Sequence, residues 1–159
     1  MSVLPATLGF VEVRAAWTAD WVWGCPLIMI TVIIHALGLE SISDRAVAVH
    51  NNLRKHGRPT VSSAVVMGVA TLLATFLHGL EAAIWAAIYL LLGSLPDVRS
   101  AMLYSLEALT TYGHQSGDLE AHWRLLGAIE ALNGWLLFGL STAFLFWLMN
   151  AVSSHRTDS

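Results

Sequence analysis

Apolar residues run almost unbroken from Trp21 to Leu39, from Val61 to Gly93 and from Trp123 to Ala151, and polar clusters separate the three runs. One helical crossing of a bilayer core takes about 20 consecutive apolar residues. The pattern therefore predicts three membrane-spanning helices, over 21–39, 62–94 and 123–151. Residues 1–20 precede the first span, with Pro5 and Gly9 as punctuation, and are expected as an external or interfacial N-terminus. Trp17, Trp21 and Trp23 mark the boundary, because tryptophan concentrates where membrane meets water. Residues 40–61 carry Glu40, Asp44, Arg45, Arg54, Lys55 and Arg58 and are expected as a loop. It is the most basic loop of the chain, and such loops face the cytoplasm. That orientation puts the N-terminus outside and the tail 152–159 in the cytoplasm. Asp97, Arg99, Glu107, Asp118 and Glu120 then form a net acidic outer region.

The second run stops at Gly93-Ser94-Leu95-Pro96, a glycine–proline helix stop. A short helix is expected over 98–110 and an extended loop over 111–118. The stretch from Ser105 to Asp118 begins apolar and ends in polar residues and glycine. A water-exposed loop has little use for its first half, and a spanning helix cannot hold its second. A re-entrant turn holds both, since irregular backbone at membrane depth survives only when buried in protein or lining a water-filled path.

Composition narrows the class. Of the 159 residues, 56% are hydrophobic and 12% charged, against about 25% charged in soluble domains. The net charge of −3 gives no footprint for nucleic acid. Cys25 is the only cysteine, which excludes an internal disulfide and a cysteine metal cluster. Glu12, Arg14 and Asp20 precede the first span and do not form the basic start of a secretory signal, so that span is expected to be retained.

Three segments in order resemble the potassium-channel pore domain. Tyr104-Ser105-Leu106-Glu107-Ala108-Leu109-Thr110-Thr111-Tyr112-Gly113 is similar to its pore helix and the start of its filter. Gly117-Asp118 is similar to the pair that closes the filter. Gly134-Trp135-Leu136-Leu137-Phe138-Gly139-Leu140-Ser141-Thr142-Ala143 is similar to the inner helix of the simplest bacterial members. The resemblance implies an all-α integral membrane protein in which a re-entrant pore helix and filter loop lie between the second and third spans. It also implies a symmetric homotetramer, because one copy cannot surround an ion. The implied location is the cell inner membrane, multi-pass. The implied function is passive cation conduction, with potassium (or sodium) ions in the filter, no catalytic residue and no other cofactor.

Implied site residues follow position by position. Thr110, Thr111, Tyr112, Gly113 and His114 would form the ion-conducting filter, where rings of carbonyls replace the hydration shell. Glu107 and Asp118 would brace it. Trp135, Phe138 and Thr142 share a helical face (i, i+3, i+7) and would line the cavity or gate. Gly134 would be the inner-helix hinge. The chain departs from the family pattern after Gly113: His114-Gln115-Ser116 stand where the family has tyrosine and glycine. The outer filter therefore cannot keep its usual stacked rings, and discrimination between potassium and sodium is expected to fall. His114 also brings an imidazole, whose ordinary titration lies near pH 6.5.

Four ionisable residues lie inside apolar runs: His35, His78, Glu81 and Glu130. Such groups face the protein interior and find partners there. The stripes Thr31-His35-Gly38 and Thr71-Thr75-His78 are expected to meet and hydrogen-bond. The same four ionisable groups offer imidazole and carboxylate donors to a metal or a proton. A membrane metalloprotein and a non-conducting channel-like subunit thus stand as alternatives to the channel.

Overall fold

The computed structural model describes residues 4–54, 59–113, 119 and 121–153. It contains α1 (Leu4–Arg54), α2 (Pro59–Leu91), α3 (Val98–Thr110), a 3-10 turn at Ala121–Trp123 and α4 (Arg124–Ser153), with no strand among the described residues. Three segments are long and apolar enough to cross a membrane: Trp17–Leu53, Ser63–Leu91 and Arg124–Ser153. The chain is all-α and carries the three expected spans.

The first helix departs from the expected bounds. α1 has 51 residues, which at 1.5 Å per residue is about 76 Å. It takes in most of the expected N-terminal segment 1–20, and it runs to Arg54 through most of the expected loop 40–61. The charges after Leu39 mark an exit from apolar surroundings, not a helix end. No glycine or proline lies between Gly38 and Gly57, so nothing in the backbone chemistry stops the helix there. Pro59 then opens α2 at the first helical position, where its missing N–H costs nothing.

Two compact units make up the chain. One comprises Met1–Thr31 and Ala82–Trp135, the other Val32–Glu81 and Leu136–Ser159, and α1, α2 and α4 each contribute to both. In the first unit, α2 ends at Leu91 and the chain turns at Gly93, whose φ of 68° is the left-handed conformation that glycine adopts without strain. Gly93 N–H donates to the Leu90 carbonyl at 3.1 Å and Ser94 N–H to the Tyr89 carbonyl at 3.0 Å, closing the last turn. Asp97 then starts α3. Its carboxylate accepts from the Arg99 and Ser100 backbone N–H groups at 2.9 and 3.0 Å and from the Ser100 hydroxyl at 2.8 Å. The Ser100 backbone N–H is the chief reason its carboxyl sits below the ordinary value.

α3 buries Ala101, Tyr104, Ser105, Ala108 and Leu109, an i, i+3, i+4, i+7, i+8 stripe. Ala101, Tyr104 and Ala108 join Trp85 and Tyr89 of α2 and Leu126 and Ile129 of α4 in one core. Lipid tails are as apolar as these side chains, so their cohesion comes from close fit and hydrogen bonds rather than escape from water. The second unit has a smaller core of Val66 and Ala70 from α2 with Leu148 and Val152 from α4. Gly38 of α1 admits Leu77 of α2 so closely that a methyl group there would stand 2.6 Å from Leu77 Cδ2.

Candidate functional site

Two groups of side chains hold the chemistry, one in each unit. The first surrounds the C-terminus of α3. Thr111 caps the helix with φ 54° and ψ 25°. Its N–H donates to the Ala108 carbonyl and the Tyr112 N–H to the Glu107 carbonyl, each at 3.0 Å. A β-branched residue in this region is uncommon and strained. Gly113 follows at φ 100°, while Tyr112 between them does not share the positive sign.

Thr110, Thr111, Tyr112 and Gly113 are all exposed in the single chain, Tyr112 at 72%. The Thr110 hydroxyl donates to the Leu106 carbonyl at 2.6 Å and the Thr111 hydroxyl to the Thr110 carbonyl at 2.7 Å. Glu107 is half-buried on α3. His114 and Asp118 lie outside the described residues, and with them the outer filter and any pairing of Glu107 with Asp118.

α4 runs through Gly134 as continuous helix. A methyl group there would meet the backbone of Leu109, with Cα only 2.8 Å away. Close approach of α3 to α4 leaves no room for a side chain at this position. Trp135 is 70% exposed. Phe138 stacks on the His78 ring, with centroids 4.3 Å apart. Thr142 is exposed and its hydroxyl donates to the Phe138 carbonyl at 2.8 Å. Glu130 of α4 is fully buried in this first unit and accepts from the Tyr89 hydroxyl at 2.7 Å. Ser105 of α3 approaches the same carboxylate. Nearby polar groups are also paired: Asn133 Nδ2 donates to Thr31 Oγ1 at 2.8 Å, and Thr31 donates to the Leu27 carbonyl at 2.8 Å.

The second group lies wholly in the other unit. His35 of α1, His78 and Glu81 of α2 and Ser141 of α4 converge. His35 Nδ1 lies 2.7 Å from Glu81 Oε1, and His78 Nδ1 lies 3.3 Å from Glu81 Oε2. Both Nε2 atoms reach Ser141 Oγ, His35 at 3.0 Å and His78 at 3.1 Å. His35 and Glu81 are fully buried, while 14% of the His78 side chain is exposed. One ligand atom from each of His35, His78 and Glu81 falls within 4.8 Å of the others.

The structure thus gathers His35, His78 and Glu81 but leaves Glu130 with Tyr89. Of the two expected stripes, His35 and His78 meet through Glu81 and Ser141. Thr71 and Thr75 instead donate to carbonyls of their own helix, Met67 and Thr71, at 2.9 and 3.0 Å. Ser141 and Tyr89 were not singled out from the sequence. A serine and a tyrosine are unremarkable in an apolar run, and only tertiary packing shows what they face. Asn133 did carry a signal, an amide inside a span three residues after Glu130. No family model, no curated protein and no solved structure matches this chain.

Proposed function

We propose that this chain is the subunit of a symmetric tetrameric cation channel of the potassium-channel type, set in the cell inner membrane with its N-terminus outside. In this reading α3 is a re-entrant pore helix, and Thr110 to His114 supply the ion path. The observation that carries it is the end of α3. A short helix between two spans is seated on α4 at Gly134 and terminates in the exposed Thr111–Gly113 turn, where the sign of φ alternates. In the assembled pore the carbonyls of this turn would replace the water shell of a cation, and the negative end of the helix dipole favours positive charge there. Exposure of Thr110 to Gly113 and of Trp135 in the single chain fits surfaces that four copies would enclose.

The test is flux. Purified protein in liposomes is assayed with potassium and with sodium separately, between pH 5 and 8. Potassium flux is expected to exceed sodium flux by less than in channels with an intact filter. Gly113→Ala is expected to abolish both, because its φ of 100° suits glycine alone. No flux of either cation at any pH would replace the channel with a non-conducting subunit. Chemical cross-linking in the membrane should stop at four copies.

A further inference from the structure

Hydrogen-bond accounting around Glu81 leaves the histidine cluster short of one hydrogen. Three hydrogen bonds hold it together, His35 Nδ1 with Glu81 Oε1 and both Nε2 atoms with Ser141 Oγ; the fourth contact, His78 Nδ1 against Glu81 Oε2 at 3.3 Å, leaves both buried atoms without a hydrogen-bond partner. Each contact needs its own hydrogen. Two neutral imidazoles bring one each and Ser141 brings a third. One nitrogen lone pair then faces an oxygen lone pair in a buried place, where an unmet polar contact is costly. An additional proton or a cation removes the conflict.

We propose that His35, His78 and Glu81 form a site for one divalent transition-metal ion of the zinc class. The two Nδ1 atoms and the carboxylate are the ligands. Ser141 is the supporting residue: its hydroxyl oxygen accepts an Nε2–H from each ring. That is the arrangement by which a metal-bound imidazole is usually held in one tautomer and one orientation. Stacking of Phe138 on the His78 ring fixes that ring further.

The spacing suits the ion. Ligand atoms around a tetrahedral ion of this class lie about 3.3 Å apart. The His78–Glu81 separation of 3.3 Å already has that value. The His35–Glu81 separation of 2.7 Å must open, by roughly 0.6 Å on the same geometry. Imidazole with carboxylate is a donor set for zinc and its neighbours rather than for magnesium or calcium. Three protein ligands leave a fourth position open. One carboxylate leaves a net single positive charge, less than in zinc sites built from three histidines. Binding displaces at most one proton, the extra one that satisfies the metal-free network: both Nδ1 atoms give up their hydrogens to face the ion, and one of these is regained at the Nε2 that had accepted from Ser141, so that both rings then carry Nε2–H. The partly exposed His78 is the point of entry.

This inference goes beyond the channel reading and does not depend on it. The full chain, purified in detergent and stripped with chelator, is titrated with cobalt(II) and followed by its visible absorption, then with zinc to displace it. One cobalt per chain, displaced by one zinc, is expected. His78→Gln and Glu81→Gln should each weaken binding by about 100-fold or more, and Ser141→Ala by about 10–100-fold with the stoichiometry retained. Thr75→Ala, an exposed residue bonded to its own helix, should leave binding unchanged. Helicity and elution volume check folding of each variant. If the histidine and glutamate variants do not fold, the wild-type titration decides alone. Absence of saturable one-to-one binding by the wild type overturns the site. So does unchanged binding in folded His78→Gln and Glu81→Gln.

Discussion

Glu130 and Glu81 are both completely buried on apolar helices, and their surroundings differ. Glu130 accepts from the Tyr89 phenol at 2.7 Å, and Ser105 approaches it. Neither partner can carry a positive charge at neutral pH. Glu81 has His35 and His78 on its two oxygens, imidazoles rather than hydroxyls. The first carboxylate ties α2 and α4 together in one unit through the Tyr89 hydroxyl. The second is held by groups that bind protons or metal ions. Both sit in apolar runs, so burial alone does not mark an intramembrane carboxylate as functional. The chemistry of its neighbours separates a structural acid from a candidate site.

Removal of each acid sharpens that difference. Glu81→Ala leaves the buried His35 and the partly exposed His78 without their shared acceptor and is expected to cost about 1–3 kcal/mol for each donor left unsatisfied. Glu130→Gln keeps an acceptor for Tyr89 and is expected to cost about 0.6–1.7 kcal/mol, as polar contacts between membrane helices do. Denaturant unfolding in micelles measures both. Equal losses would break the contrast.

Glycine gives the next largest effect. Gly134→Ala drives a methyl group into the Leu109 backbone, which cannot turn aside as a side chain can. About 1–3 kcal/mol is expected from overpacking, with α3 loosened at the end that carries Thr111. Gly139 has nothing within 4 Å of an added methyl group. Gly139→Ala is therefore expected to stabilise α4 by up to about 1 kcal/mol through helix propensity. The two glycines are five residues apart and look alike in the sequence. Unfolding of the two variants, with flux measured alongside, separates a packing glycine from a hinge: a hinge would change gating without loss of stability.

These residues also show what could be read beforehand. The three spans were legible because an apolar run of crossing length has few other uses. α3 was legible from the Gly93–Pro96 stop before it and from the apolar start of the stretch from Ser105. The reach of α1 to Arg54 was not, because charge after an apolar run signals only a change of solvent and says nothing of where the helix ends. The meeting of His35 with His78 and Glu81 was partly legible as polar positions in apolar runs. Ser141 was not: its two imidazole partners lie 63 and 106 residues away. Separating Glu130 from that group needed Tyr89, which carries no signal in an apolar sequence.

A smaller loss tests the structural acid from its partner's side. Tyr89→Phe removes the donor to Glu130 at 2.7 Å and leaves the ring in the core. About 0.6–1.7 kcal/mol is expected, again on the scale of contacts between membrane helices. Metal binding at the histidine cluster should be unaffected, since the two groups share no residue. A change in cobalt affinity in this variant would couple what the comparison treats as independent.

The smallest effect belongs to an acid outside the spans. Asp97 is exposed, so its contrast with Glu81 and Glu130 is one of solvent. Its carboxyl lies below its ordinary value of 3.8, chiefly through the Ser100 backbone N–H, then the Ser100 hydroxyl and the Arg99 N–H. A carboxyl held low in the folded state favours folding above the unfolded-state value. That contribution disappears as pH falls through the lower folded value. α3 is therefore expected to fray at its start only in acid, below about pH 4. Amide hydrogen exchange at Arg99 and Ser100, corrected for intrinsic rates, should speed up there and nowhere above. Asp97→Asn keeps a capping oxygen but cannot titrate. Its first turn should show the same protection on both sides of that pH. Acid fraying that persists in the Asn variant would place the sensitive group elsewhere and remove Asp97 as the cause.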